Sequence, residues 1–195
     1  MRTTLRRPVV MGVLAALTTL TVAACSAPED DVPAAAPVVA ASPSPSLDAA
    51  EQLEAENVAA AEETVKNYYH DVAEQGRAGY SDWEFVLVPY WSGEVLADQS
   101  ERYARHHANG RTTRGQTEVV SMKVLDYTPS PGGAFDTVRL EVCTDVSALR
   151  AFEDGEELER PADANLRFVT DLLLRNQNGE RWTIHERTAT GERAC

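Results

Sequence analysis

The sequence predicts an α+β domain over residues 47–195, in which three helices precede a four-stranded antiparallel sheet. Apolar residues recur at helical spacing up to about residue 109. After Gly115 they alternate with polar residues, which is typical of half-buried strands. Apolar residues make up 43% of the 195-residue chain, enough for one packed core. Helices followed by strands in separate runs indicate the α+β class.

The helical half divides into three segments. The first helix is predicted from Leu47 to Gln75, with Gly76 ending it. The second begins at the capping-box pattern of residues 81–84 and stops at Pro89. The third runs from Ser92-Gly93 to about Asn109. Apolar stripes support the first and third helices: Val58, Ala61, Val65, Tyr68 or Tyr69 and Val72 in the first, and Val95, Leu96, Gln99, Tyr103 and His106 or His107 in the third.

Four strands are predicted around residues 120–124, 138–142, 166–174 and 182–184. The last two form a hairpin over Asn178-Gly179. A two-residue turn would set Trp182 and Ile184 beside polar residues of the preceding strand. A three-residue loop, which pairs Leu174 with Trp182 and Leu172 with Ile184, keeps one face apolar and is preferred.

Several stretches of the domain resemble a known fold. They are the aromatic segment DWEFVLVPYW, the strand VRLEVCTD, the turn DGEEL and the late strand RWTIHE. With the order of elements, they make residues 55–195 similar to the nuclear transport factor two-like, or SnoaL-like, fold. The resemblance implies a curved, cone-like sheet wrapped around the helices. More narrowly, the chain is similar to exported actinobacterial lipoproteins of that fold.

The N-terminus has the layout of an export signal. Residues 1–24 carry three arginines, then an uncharged apolar run that ends in Val22-Ala23-Ala24 before Cys25. This resembles the bacterial lipoprotein cleavage motif, which implies cleavage before Cys25 and lipid on its thiol, including fatty acyl chains such as palmitate. The alternatives are an ordinary signal peptide cut near Ala24, or an uncut anchor. We expect the domain on the extracytoplasmic face of the cell membrane.

Residues 25–46 are predicted to be a disordered tether. The stretch after Cys25 holds five of the ten prolines of the chain, with mostly alanine, serine and acidic residues between them. Without residues 1–24 the chain has 15 basic and 31 acidic residues. Such an acidic surface repels nucleic acid, so no nucleic-acid partner is expected.

Cys143 and Cys195 are predicted to form a disulfide. An exported domain is in an oxidising compartment. Folding the chain back at the predicted turns Asp154-Gly155 and Asn178-Gly179 sets Cys143 level with about residue 166 and then about residue 190, within reach of the C-terminal tail. The alternatives are a buried thiol at Cys143 and a free thiol at Cys195.

The sequence contains no nucleophile motif, phosphate loop or cofactor fingerprint, and no cofactor is expected. A metal site is not expected either, since the adjacent His106 and His107 lack the three- or four-residue spacing of a helical ligand pair. His70 is predicted to be in solvent and His185 to point outward. One of His106 and His107 is expected to face inward. The residues predicted as candidates for lining a pocket are Tyr69, Trp83, Tyr90, Tyr103, His106, His107 and Trp182.

These observations favour a non-enzymatic, membrane-anchored domain that binds a small apolar ligand or another protein of the cell envelope. One alternative is a SnoaL-like cyclase, dehydratase or isomerase that uses His106 or His107 with Tyr103. That enzyme requires the histidine to open into a cavity beside a carboxylate. A second alternative is a homodimerisation module.

Overall fold

The computed structural model describes residues 48–131, 135–190 and 193–195. The predicted signal peptide, the lipidation site Cys25 and the tether lie outside the described residues. Within them, none of the helices is both long enough and apolar enough to cross a membrane.

The described chain begins with helices. α1 spans Ala49–Arg77, α2 spans Trp83–Val86, a 3₁₀ turn covers Val88–Tyr90, and α3 spans Gly93–Ala108. Asp48 caps α1: its carboxylate accepts hydrogen bonds from the backbone N–H groups of Ala50 and Glu51, and the Glu51 carboxylate accepts one from the Asp48 backbone N–H. The predicted stripe of α1 is confirmed, because Ala61, Val65 and Tyr68 are buried.

Two predicted helix ends are wrong. α1 continues through Gly76 to Arg77, and a Cβ atom at Gly76 would lie 2.0 Å from Oγ1 of Thr113. Gly76 therefore permits a close approach rather than ending the helix. The second helix begins at Trp83 without a side-chain cap: no side-chain oxygen accepts from its first N–H groups, and the Ser81 hydroxyl donates to the Asp82 carboxylate.

The strands form two antiparallel sheets. The larger sheet has the order β2-β3-β6-β7, with β2 at Glu118–Thr128, β3 at Thr137–Asp145, β6 at Arg167–Gln177 and β7 at Arg181–Thr190. These are the four predicted strands in meander order. The smaller sheet was not predicted, and has the order β1-β4-β5, with β1 at Thr112–Arg114, β4 at Arg150–Glu153 and β5 at Glu156–Glu157.

The last hairpin has the predicted parity but not the predicted register. Gln177 pairs with Arg181, so the loop has three residues, and Leu174 pairs with Ile184 rather than Trp182. Asn178 and Gly179 both adopt positive φ, which moves the loop one residue along the chain. Ile184 and Leu174 remain on one buried face, as the apolar pattern requires.

The core lies between the helices and the larger sheet. Buried residues of β3, β6 and β7 meet α1, the 3₁₀ segment and α3, and the largest fully buried side chains there include Leu87, Leu140, Leu172, Leu174 and Ile184. Leu96, predicted on the inner side of α3, is 37% exposed, so α3 buries a narrower stripe than predicted.

The C-terminal tail returns to the larger sheet. The Sγ atoms of Cys143 and Cys195 are 2.01 Å apart, at bonding distance, across a separation of 52 residues. Arg193 lies beside this pair, and its guanidinium contacts Glu141 at 2.7 Å and Asp171 at 3.3 Å. Its backbone oxygen also accepts from the N–H of Val169 at 3.1 Å. The tail thus crosses β3 and β6 on their polar side.

Candidate ligand-binding cavity

A cavity of about 230 Å³ lies where α1 and α3 meet the smaller sheet and the ends of β3, β6 and β7. α1 and α3 present aromatic rings to it because tyrosines occupy their inner stripes. β1 and β4 close another side. One wall is aromatic or apolar, and it contains Tyr68, Tyr69, Val72, Ala73, Tyr80, Tyr103 and Phe168.

The rest of the lining, which we call the basic wall, is basic and polar, and it adjoins the aromatic residues: the His106 ring centroid is 5.3 Å from that of Tyr80 and 5.8 Å from that of Tyr103. Three arginines line the cavity, Arg102 from α3, Arg111 from the turn before β1 and Arg187 from β7. Three threonines also line it: Thr113, Thr117 and Thr144. No aspartate or glutamate is among the described residues that line this cavity. The whole chain has 31 acidic and 18 basic residues, so the charge at this cavity is opposite in sign to the charge of the chain as a whole.

His106 lies between two of these arginines. Its Nε2 is 3.4 Å from Nε of Arg102, and its Nδ1 is 3.4 Å from Nη1 of Arg111. Burial lowers the pKa of His106 to about 4, and the positive charges of Arg102, Arg111 and Arg105 lower it as well, against a smaller opposing effect of Glu153. The imidazole is therefore neutral at physiological pH.

Two tyrosines of the cavity, Tyr69 and Tyr103, stay protonated at physiological pH. Burial raises the pKa of Tyr69 to about 12 and raises the pKa of Tyr103 well above its usual value. The Tyr103 and Tyr68 hydroxyl oxygens are 3.2 Å apart, and the Tyr103 ring is stacked on Trp91 at a centroid distance of 5.3 Å. The Tyr69 and Tyr103 hydroxyl groups therefore act as neutral hydrogen-bonding groups.

The structure brings together three of the seven predicted pocket residues, Tyr69, Tyr103 and His106. Trp83, Tyr90 and Trp182 are not part of its lining: Trp83 and Trp182 are buried in the core, and the partly buried Tyr90 donates a hydrogen bond to Asp71 at 2.6 Å. These aromatic side chains fill space between α1, the 3₁₀ segment and the larger sheet. The sequence could not separate core aromatics from lining ones, since both kinds lie on inward faces.

The four histidines also have distinct positions. His106 is the one that faces the cavity, whereas His107 is exposed, with its Nδ1 3.1 Å from the Gly79 carbonyl oxygen. His70 is exposed, as predicted. The prediction for His185 is wrong, because its ring packs over Gly93 and its Nδ1 is 3.1 Å from the Ser92 hydroxyl.

Sequence reasoning missed the basic wall. Arg102 and His106 are four residues apart on α3, so they share a face of the helix. That spacing was a usable signal. Arg111 carried no such signal, because β1 and β4 were not predicted. Arg187 alternates in step with His185 and is therefore predicted to point outward, but the irregular pairing after Ile184 sets it opposite the buried Leu172, and it lines the cavity. In the described part of the chain, no three histidine, cysteine, aspartate or glutamate side chains are grouped as metal ligands.

Comparisons with known proteins add little to this geometry. No protein-family model matches the chain, and the comparison with curated proteins finds no match. Among solved structures, the chain is similar to the crystal structure of the intermembrane space region of chloroplast protein ARC6. The TM-score is 0.44 at 16% sequence identity, over 74% of this chain and 98% of that one.

Proposed function

We propose that this protein is a lipoprotein that binds a small molecule on the outer side of the cell membrane. The lipid on Cys25 holds it to the membrane, residues 26–46 form the tether, and the cavity between α1, α3 and the sheets holds the ligand. The cavity is the observation behind the proposal, because its lining combines aromatic and apolar residues with a few polar and basic groups. Ligand sites of soluble proteins commonly have this composition.

The proposal includes the finer fold expectation. A larger sheet that curves around the helices, as in nuclear transport factor two-like domains, would leave a space near its open end. The position of the cavity, against the ends of β3, β6 and β7, supports this arrangement. The two irregularities in the pairing of β2 with β3 also support curvature, because bulges bend and twist a strand.

The enzymatic alternative has less support. It requires the cavity histidine to lie beside a carboxylate, and no carboxylate is among the described lining residues. A histidine whose pKa is about 4 is also a weak general base near neutral pH. Binding without chemistry therefore fits the site better.

The dimerisation alternative rests on β2, an edge strand with Val120, Val124 and Leu125 each between 38% and 41% exposed. The same strand carries Lys123 and two register shifts, features that discourage pairing of edges. A monomeric mass in light scattering is therefore expected, and a stable dimer would restore this alternative.

Native mass spectrometry of the full chain extracted from membranes tests the binding function. We expect a retained small molecule in the wild type. Ala151 lines the cavity on β4, and Ala151→Phe should fill the space and release the ligand. Ala189→Phe, at an exposed strand position on β7, is the matched control and should retain it. A chain that never carries a molecule, or equal retention by both variants, would contradict the proposal.

A further inference from the structure

We propose that the ligand of this cavity is a small organic anion, a carboxylate or phosphate ester with a single-ring or similarly sized apolar body. This inference rests on the proposed function and names the class of its ligand. Three features of the basic wall support this inference: several guanidinium groups line the cavity, no carboxylate of the described lining neutralises them, and hydrogen-bond donors around His106 have no acceptor.

The guanidinium groups of the cavity have no carboxylate partner. Among the described residues, six arginines form an ion pair within 4.0 Å and seven do not. Arg102, Arg111 and Arg187 are three of those seven, and they are the three that line this cavity. Acidic residues far outnumber basic ones in this chain, so partners for these three were plentiful. Unpaired guanidinium groups that converge on a cavity are a common means of recognising carboxylate and phosphate groups.

The hydrogen-bonding groups around His106 are also unbalanced. A neutral imidazole accepts at one nitrogen and carries hydrogen on the other, so it can accept from only one of the two flanking arginines. The other guanidinium faces an N–H group. Arg111 has in addition a buried Nε with no acceptor among the described residues. An anion supplies several acceptor sites at once and would satisfy these donors.

The size of the cavity and its aromatic lining limit the rest of the molecule. The cavity volume of about 230 Å³ equals roughly eight waters at about 30 Å³ each. This suits a benzoate-sized molecule better than a long acyl chain. The aromatic wall, with Tyr69, Tyr103 and Phe168, would pack against the apolar body. Arg102 is exposed, so the charged group lies at the end of the cavity that is nearest to solvent.

Four probes of matched shape test the inference: benzoate, phenyl phosphate, benzyl alcohol and benzylamine. Their binding is measured by calorimetry on the full chain in phosphatidylcholine nanodiscs. We expect at least one anion to bind about tenfold or more tightly than benzyl alcohol, and benzylamine to bind most weakly. The tighter of the two anions identifies the charged group as carboxylate or phosphate.

Variants locate the anion. Arg102→Gln and Arg111→Gln should each weaken binding of the preferred anion about tenfold. Arg102→Lys should weaken it less, since the charge remains. Arg105→Gln is the matched control, because Arg105 lies on the same helix but pairs with Glu101 and does not line the cavity, and it should weaken binding much less than either cavity variant.

The affinities of the wild-type protein for the four probes test the anion inference even where a variant folds poorly. Equal affinity for benzoate, phenyl phosphate and benzyl alcohol, or failure of both anions to bind, overturns the anion inference. The proposed function is judged separately, because it fails only on the mass spectrometry of the extracted protein. A neutral or cationic molecule retained there would overturn the inference and leave the binding function standing.

Discussion

Removal of the bond between Cys143 and Cys195 should strongly destabilise the domain. The cross-link encloses a separation of 52 residues. In the chain-entropy model a loop of this size stabilises the folded state by about 4 kcal/mol, because it restricts the unfolded chain. That is a large part of the roughly 5–15 kcal/mol that stabilises a typical domain. Cys195→Ser is the cleaner variant, since Cys195 is exposed and Cys143 is buried.

The assay is urea and thermal unfolding of the full chain, followed by tryptophan fluorescence. The variant should lose about 4 kcal/mol of unfolding free energy, and its Tm should fall by about 8–16 °C. Wild type in reductant should behave in the same way. Intact mass should show the oxidised wild type lighter than the reduced form by two hydrogen atoms.

Arg193→Ala is the control for the tail itself. It removes the contacts to Glu141 and Asp171, which are partly exposed pairs worth at most about 1 kcal/mol each. If Cys195→Ser costs no more than Arg193→Ala, or if reductant has no effect, the entropic argument for the cross-link is refuted.

Three further predictions concern other parts of the chain. Gly76→Ala should destabilise the domain by about 1–3 kcal/mol in urea unfolding, because the new Cβ would lie 2.0 Å from Oγ1 of Thr113. Adding Thr113→Ala to this variant should restore most of the lost stability, and a gain in stability from Gly76→Ala alone would contradict the contact. Benzenesulfonate, which stays ionised, should bind more tightly as pH falls from about 6.5 to about 4. The reason is that a bound anion raises the pKa of His106 from about 4 and so favours proton uptake on binding. Calorimetry should find no such pH dependence in His106→Gln, and a flat wild-type profile would argue against contact between the anion and the imidazole. Cys25→Ser should move the protein from the membrane to the soluble fraction on cell fractionation, and unchanged membrane retention would rule out lipid anchoring through this thiol.

The elements with a clear apolar period were the most predictable. The stripes of α1 and α3 and the four strands of the larger sheet follow from hydrophobic periodicity, which reports burial against one common core. The ends of the elements were less predictable. The residue type of Gly76 predicts a helix end, whereas its role depends on Thr113, which is distant in the sequence.

The smaller sheet and the basic wall could not be predicted for a related reason. β1, β4 and β5 have two to four residues each, too short for a period to be recognised. The cavity depends on how these strands fold back over α3. The helix periodicity predicts that one of His106 and His107 faces inward. It does not predict Arg111, which comes close to His106 only because the chain turns after α3 into β1.

The stacking of Trp91 on Tyr103 gives the domain an internal optical reporter. The three tryptophans of the chain are all buried, but only the indole of Trp91 is in ring contact with a residue that lines the cavity. A guest molecule that displaces the phenol ring by a fraction of an ångström alters the surroundings of that one fluorophore. Quenching or a spectral shift of its emission can therefore report the fraction of protein molecules with ligand bound, without any added dye.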